Sequence, residues 1–331
     1  MTPIPWTLTL SWQSPVLSCR PIGNVVCREL MDSVTTIRAA RLKAHQAVGI
    51  IAPASPVSKS EIRKGTQLIE SFPLQVRLGM HLSHRSHYLA GSDRDRVSDL
   101  HAMFSDPEIK AILCARGGYG TLRTLDRIDY GLVRNNPKLL VGFSDLTALL
   151  MAIYKHSGLI TIHGPTVSEL TKGDNWHHLS RLMSTSYKPR LSLKSGMVIN
   201  GGTARGILLG GNLATLCSLM DTPFLPSFEG VILFFEEKGE QPYRLDRMVT
   251  QLLLSGRLDH LSALVIGQLE GCGDEQVVHG LLRERFNELP IPVVTGLPVG
   301  HGAENISLPL GLPALLDTER MMLEIEEPAV S

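Results

Sequence analysis

Long apolar runs are missing from this 331-residue chain, and none approaches the roughly 18 residues that a membrane-spanning helix needs. Charge of one sign is missing too. Lys+Arg and Asp+Glu both number 32, so no global field draws the chain to phosphate backbones or anionic lipid, which argues against nucleic-acid and membrane partners. The five cysteines (Cys19, Cys27, Cys114, Cys217 and Cys272) are odd in number and lack CxxC spacing. That speaks against a disulfide framework or a zinc knuckle and fits a reducing cytoplasm. Aromatics are scarce at 5%, while 43% apolar residues, 30 Gly and 20 Pro suit a loop-rich globular protein rather than a disordered or coiled-coil one. With a domain prior of roughly 150 residues, the length suits two domains.

Residues 1–40 lack helical or strand period. No Lys or Arg precedes Arg20 and Gln13 interrupts the apolar middle, so a secretory leader is a poor fit. Val16-Leu17-Ser18-Cys19 has the look of a lipoprotein cleavage box without its basic start. The expectation is an unstructured extension, with Met31 able to serve as the start.

From Val48 the pattern turns regular. Residues 48–53 (VGIIAP) form an apolar run of the kind buried in a parallel sheet, and Ser58-Lys59-Ser60-Glu61 offers a capping box. Strands are expected at 74–78, 111–114, 139–143 and 159–163, with helices at 92–105 and 145–156. This alternation implies parallel βαβ units over 41–168, with ligands beyond the carboxyl ends of the strands. The polar and Pro-containing stretch 169–195 reads as a linker. Residues 196–331 read as a β-rich α+β domain with strands near 204–209, 231–235, 263–268, 292–295, 305–308 and 321–325, and helices near 212–220, 243–254 and 275–287.

Several constellations could carry chemistry. In Gly142-Phe143-Ser144-Asp145 a serine sits where a buried strand meets a helix, as in a nucleophile elbow, although Leu146 replaces the second glycine of G-x-S-x-G. Alone, a serine at such a place is more often a simple N-cap than a nucleophile. Arg116-Gly117-Gly118-Tyr119-Gly120 follows another strand, and its N–H groups could face an anion or an oxyanion, or simply make a turn. The pair Glu236-Glu237 closes an apolar strand, a place where acids are commonly solvated. His301, in a loop between two expected strands, is a better base candidate than His163, which reads as structural. His81, His84 and His87 stand at i, i+3, i+6, but no flanking carboxylate lies within reach in sequence, so no metal site and no cofactor is expected.

Together these pieces resemble the LD-carboxypeptidase family of serine peptidases, which includes muramoyltetrapeptide carboxypeptidases and microcin-immunity hydrolases. The resemblance runs in order through GIIAPASPV (49–57), YLAGSDRDR (88–96), ARGGYG (115–120), VGFSDLTAL (141–149), IHGP (162–165), LLGGNLATL (208–216), ILFFEEKGEQPYRLDRM (232–248) and GLPVGHGAENISLPLG (296–311). It implies an N-terminal Rossmann- or flavodoxin-like domain and a C-terminal β-rich domain with the active site between them. It further implies a Ser-His-Glu triad at Ser144, His301 and Glu236, and an oxyanion hole from the backbone of Asp145 and Gly118. The implied activity is release of terminal D-Ala from murein tetrapeptides in cytoplasmic peptidoglycan recycling, by a homodimer. Arg116 is the candidate for holding the substrate carboxylate, because an Arg fork matches that group; a surface residue, or one paired with Asp126 or Asp129, is its alternative. Two other readings stay open: an immunity-type hydrolase of adenylate-like toxins, for which Trp176 would be the aromatic platform, and a non-catalytic binding protein on the same scaffold.

Overall fold

Short apolar runs alternate with capped helices in the computed structural model, which describes residues 35–331. The expected extension and its lipoprotein-like box lie, through residue 34, outside the described residues. Residues 37–40 pack on the body: Ile37 bridges Leu159 and Ala39 is buried.

The first half runs β1 (Ala47–Ile51), α1 (Lys59–Glu70), β2 (Gln75–Leu78), α2 (Asp93–Ser105), β3 (Ile109–Cys114), α3 (Tyr130–Asn135), β4 (Leu139–Gly142), α4 (Thr147–Ser157) and β5 (Thr161–His163). Capping boxes start two of these helices, Ser58 with Glu61 for α1 and Ser92 with Asp95 for α2. The five strands are parallel in the order β2-β1-β3-β4-β5, the flavodoxin-like order, with its switch point between β1 and β3. The turn after β3 carries the glycine run and the turn after β4 carries Ser144. Both therefore open at the carboxyl edge of one sheet.

The second half runs α5 (Asn175–Ser184), β6 (Arg190–Ser192), β7 (Val198–Asn200), β8 (Thr203–Asn212), α6 (Leu213–Leu219), β9 (Val231–Lys238), α7 (Pro242–Leu254), β10 (Ala263–Glu270), α8 (Glu275–Phe286), β11 (Val293–Val294), β12 (Leu308–Leu310), β13 (Pro313–Asp317) and β14 (Met322–Ile325). All of these strands except β12 make a mixed eight-stranded sheet, β6-β14-β13-β8-β9-β10-β11-β7, parallel from β8 through β11. The segment 169–195, expected as a linker, contains a packed helix. In α5, Trp176, Leu179, Leu182 and Met183 fall on one buried stripe, a helical period that the polar residues on either side obscure.

The halves are interlocked. β12, from the second half of the chain, joins the first sheet and pairs antiparallel with β5, at Leu308↔His163 and Leu310↔Thr161. At the end of β8, Gly210 and Gly211 have φ of +149° and +152°. A Cβ on Gly210 would run into the Phe234 carbonyl, and one on Gly211 would lie 2.5 Å from Thr147 Cγ2 at the start of α4. Glycine is required here because backbone meets backbone and helix without room for a side chain.

Gly210→Ala combines positive φ with a collision, so urea unfolding should show a loss of about 3 kcal/mol or more. Gly239→Ala, at φ +74° with nothing within 4 Å of the new Cβ, should cost only about 1 kcal/mol.

Candidate active site

Ser144 sits between β4 and α4 in the left-handed region, at φ +64°, a conformation that costs a non-glycine residue about 1–3 kcal/mol and marks an elbow rather than an ordinary N-cap. Its neighbours make room for it. A Cβ on Gly117 would lie 2.9 Å from Ser144 Cβ and 3.2 Å from its Oγ. Asp145 turns its side chain away from the elbow, accepting from Thr121 N–H and Thr121 Oγ1 at 2.9 Å each, which ties the elbow to the segment after the glycine turn. That turn is pinned from the other side by Ser55 Oγ, which accepts from Tyr119 N–H at 3.1 Å. Among the described residues no acceptor takes the N–H of Asp145 or of Gly118. Two unspent donors therefore flank the serine.

Glu236 and Glu237 end β9, and both are buried, contrary to the solvated strand-end pair expected from sequence. Adjacent strand residues face opposite ways, and these two have separate partners. Glu236 is fully buried and its Oε2 lies 2.6 Å from His301 Nδ1. A carboxylate there selects the tautomer with hydrogen on Nδ1 and leaves Nε2 as the free lone pair. Glu237 accepts from Asn212 Nδ2 at 2.9 Å, Ala214 N–H at 2.8 Å and Lys238 N–H at 2.9 Å. Burial nevertheless raises its carboxyl above the ordinary range.

The loop that carries His301 is held by residues that sequence reasoning missed. Gln268, near the end of β10, accepts from Gly302 N–H at 2.7 Å and donates to Glu304 O at 3.0 Å. Asn305 accepts from Gly300 N–H at 3.1 Å, and its own N–H donates to Asn175 Oδ1 at 3.0 Å. Gly300 stands at φ +136°, where a Cβ would lie 3.0 Å from Glu236 Oε2. The glycine before the histidine was a readable signal, whereas the amide partners arrive from distant elements.

Ser144, Asp145, Gly118, Tyr119, Asn212, Glu237, Lys238 and His301 meet in one cleft of about 360 Å³. Ser144 Oγ has no hydrogen-bond partner among the described residues, so the serine and histidine share the cleft without a direct bond. Arg116 does not join them. It is exposed, its Nη1 lies 3.5 Å from Pro56 O, and its charge acts on Glu61. Lys238 is the exposed cation on the cleft wall. Trp176 is buried against Phe72, ring centroids 5.4 Å apart, so it offers the cleft no platform. The aromatic at the cleft is Tyr119, half exposed and edge-on to Tyr88 at 5.6 Å.

His163 lies beneath the site, wholly buried, with Phe143 and Phe234 rings at 5.8 and 5.1 Å. Neither ring nitrogen has a partner among the described residues. Burial, with His301 nearby, pushes its pKa from 6.5 down to about 3. The folded state thus keeps His163 neutral while the unfolded chain protonates it. Its contribution to stability is complete above pH 6.5 and is lost as pH falls toward 3, at about 1.4 kcal/mol per pH unit. His163→Leu should flatten the fall in unfolding free energy by about that slope between roughly pH 6 and 4, as read by urea titrations at each pH.

Comparison with known proteins gives the family of both halves. Residues 48–164 match the LD-carboxypeptidase N-terminal domain and residues 205–316 the LD-carboxypeptidase C-terminal domain. The probable murein peptide carboxypeptidase of Bacillus subtilis is 37% identical over 298 residues, covering 86% of this chain and 93% of its own. The muramoyltetrapeptide carboxypeptidase structure from Oxalobacter formigenes superposes with a TM-score of 0.76 at 32% identity, covering 84% of this chain and 98% of that one. The microcin C7 self-immunity protein of Escherichia coli is 26% identical, covering 88% of this chain and 96% of its own.

Proposed function

Since the chain belongs to the LD-carboxypeptidase family, we propose that it is a serine-type LD-carboxypeptidase that releases the terminal D-alanine of murein tetrapeptides. The observation that carries this is the 2.6 Å contact of a wholly buried Glu236 with His301 in the cleft that holds the strained Ser144.

In the first step Ser144 Oγ attacks the carbonyl carbon of the scissile bond and passes its proton to His301 Nε2, while Glu236 stabilises the resulting imidazolium. The carbonyl oxygen, now negative, is met by the N–H groups of Asp145 and Gly118, which need not be released from other partners first. His301 then gives the proton to the departing amine of D-alanine. Water repeats the sequence on the acyl-enzyme, with the serine leaving. Lys238 on the cleft wall is the group suited to the free carboxylate of the substrate, in place of Arg116, which faces away.

The murein substrate is favoured over an adenylate-like one by the 37% and 32% identities to carboxypeptidases against 26% to the immunity protein. The immunity-type reading draws on Tyr119, whose exposed ring could stack on a nucleobase. Incubation with L-Ala-D-Glu-diaminopimelate-D-Ala, its lysine analogue and an aminoacyl sulfamoyl adenosine, followed by mass spectrometry, separates them. D-alanine release is the expected result, and cleavage of the adenosine substrate alone would replace it with the second reading.

Ser144→Ala should lower kcat by roughly ten-thousand-fold or more with little change in KM or melting temperature. His301→Ala should lose comparable activity but also stability, by about 3–5 kcal/mol, because it leaves the buried Glu236 carboxylate unpaired. The double variant should be barely slower than either, since both residues serve one step. A fully active Ser144→Ala protein would overturn the assignment.

A further inference from the structure

The fold supplies the carboxylate that the sequence around His81 and His84 lacks. After β2 the chain closes a turn, His84 N–H donating to His81 O at 2.8 Å, and this places both imidazoles on one side with ring centroids 4.9 Å apart. Asp95, in the first turn of α2, points between them. His84 Nδ1 lies 3.3 Å from Asp95 Oδ2, and His81 Nε2 lies 3.9 Å from Asp95 Oδ1. One ligand atom from each of His81, His84 and Asp95 falls within 4.8 Å of the others, a spread that a small contraction brings to the separations around a tetrahedral ion with bonds of about 2.0–2.2 Å.

The support around this triad is that of a built site. Asp99 is buried and accepts from His81 twice, from its backbone N–H at 3.0 Å and its Nδ1 at 2.7 Å. Its carboxylate fixes the ring with Nδ1 protonated and turns the Nε2 lone pair toward Asp95, the carboxylate–histidine arrangement that orients metal ligands. Gly91, at φ +84°, packs where a Cβ would lie 2.9 Å from Asp95 Oδ2 and 3.0 Å from His84 Cβ, so the backbone itself wedges the two together. Half of the His84 side chain is exposed, which leaves an entry path and an open coordination position. None of the four residues lines the Ser144 cleft.

We infer that His81 Nε2, His84 Nδ1 and Asp95 form a binding site for one divalent transition metal ion, with zinc suited to its two nitrogens and one oxygen. The ion would join the turn after β2 to the start of α2. There Arg96 donates to Gly120 O at 2.8 Å and Pro53 O at 2.6 Å, so the clip would stiffen the support of the glycine turn without entering the reaction.

The test uses the full chain, free of any affinity tag and stripped with a chelator, titrated with ZnCl₂ by calorimetry and with CoCl₂ by visible absorption. One equivalent of zinc, a higher melting temperature on binding, and a cobalt d–d spectrum are expected. His84→Ala and Asp95→Asn should abolish saturable binding, and Asp99→Asn should weaken it about 10–100-fold. Each variant in chelator should melt like the parent, and if Asp95→Asn does not, the exposed His84 carries the test. Absence of saturable binding, or stoichiometric binding that survives His84→Ala, would overturn the site. Hydrolysis by the chelated parent protein should be undiminished, so the peptidase and metal readings stand or fall separately.

Discussion

A carboxylate with no access to water dominates this structure. Glu236 is fully buried, one oxygen against His301 and the other without a partner among the described residues. A carboxylate in that position is tolerable only if the donor that hydrogen-bonds it is held in place. Much of the fold serves to hold it. Gly300 and Gly267 leave space beside the carboxylate that a side chain would fill, Gln268 clasps the loop from β10, and β12 anchors the chain beyond the loop in the other half's sheet. Alignment of the Glu236–His301 pair and the docking of the two halves are thus one constraint.

The neighbouring acid shows how a strand divides labour. Glu237 points to the opposite face and organises the junction of β8 and α6 through Asn212 and Ala214. Asn212 in turn donates its N–H to Thr147 Oγ1 at 3.0 Å, on the helix that follows Ser144. One carboxylate therefore orients the histidine, and the next supports the wall against which the serine's helix packs. Replacing Glu237 would disturb structure first and chemistry second.

Sequence reading reached the parts of the molecule written in local pattern. Parallel strands with capped helices, the serine at a strand-to-helix turn and the histidine after a glycine are all visible over a few residues. What escaped it depends on distance along the chain. The strands β6, β7 and β13 are short or half-exposed and lack a strong apolar run, and α5 was masked by its polar surroundings. Whether Glu236 and Glu237 are solvated cannot be read from their spacing, because burial is decided by what packs on β9. Arg116 had the right chemistry and the right strand end, yet its backbone position aims it at Pro56 and Glu61. No carboxylate flanks His81 and His84 closely in sequence, and Asp95 stands eleven residues beyond His84, a separation that a turn and a helix start erase.

Asp95 also shows that one helix terminus can serve several ends at once. As the third residue of its capping box it satisfies Ser92 N–H through Oδ2 at 3.1 Å while leaving Oδ1 toward His81. One residue on, Arg96 is almost wholly buried; it pairs with Asp93 and spends its donors on the carbonyls of Pro53 and Gly120. A buried guanidinium paired in this way cannot shift without unpairing either its acid or those carbonyls. The start of α2 is consequently rigid on both flanks, toward the imidazole pair on one side and toward the glycine turn on the other. In the proposed reaction the two unspent N–H groups beside Ser144 depend on that rigidity, because donors aimed at a developing charge lower a barrier only if they are already in place when it forms.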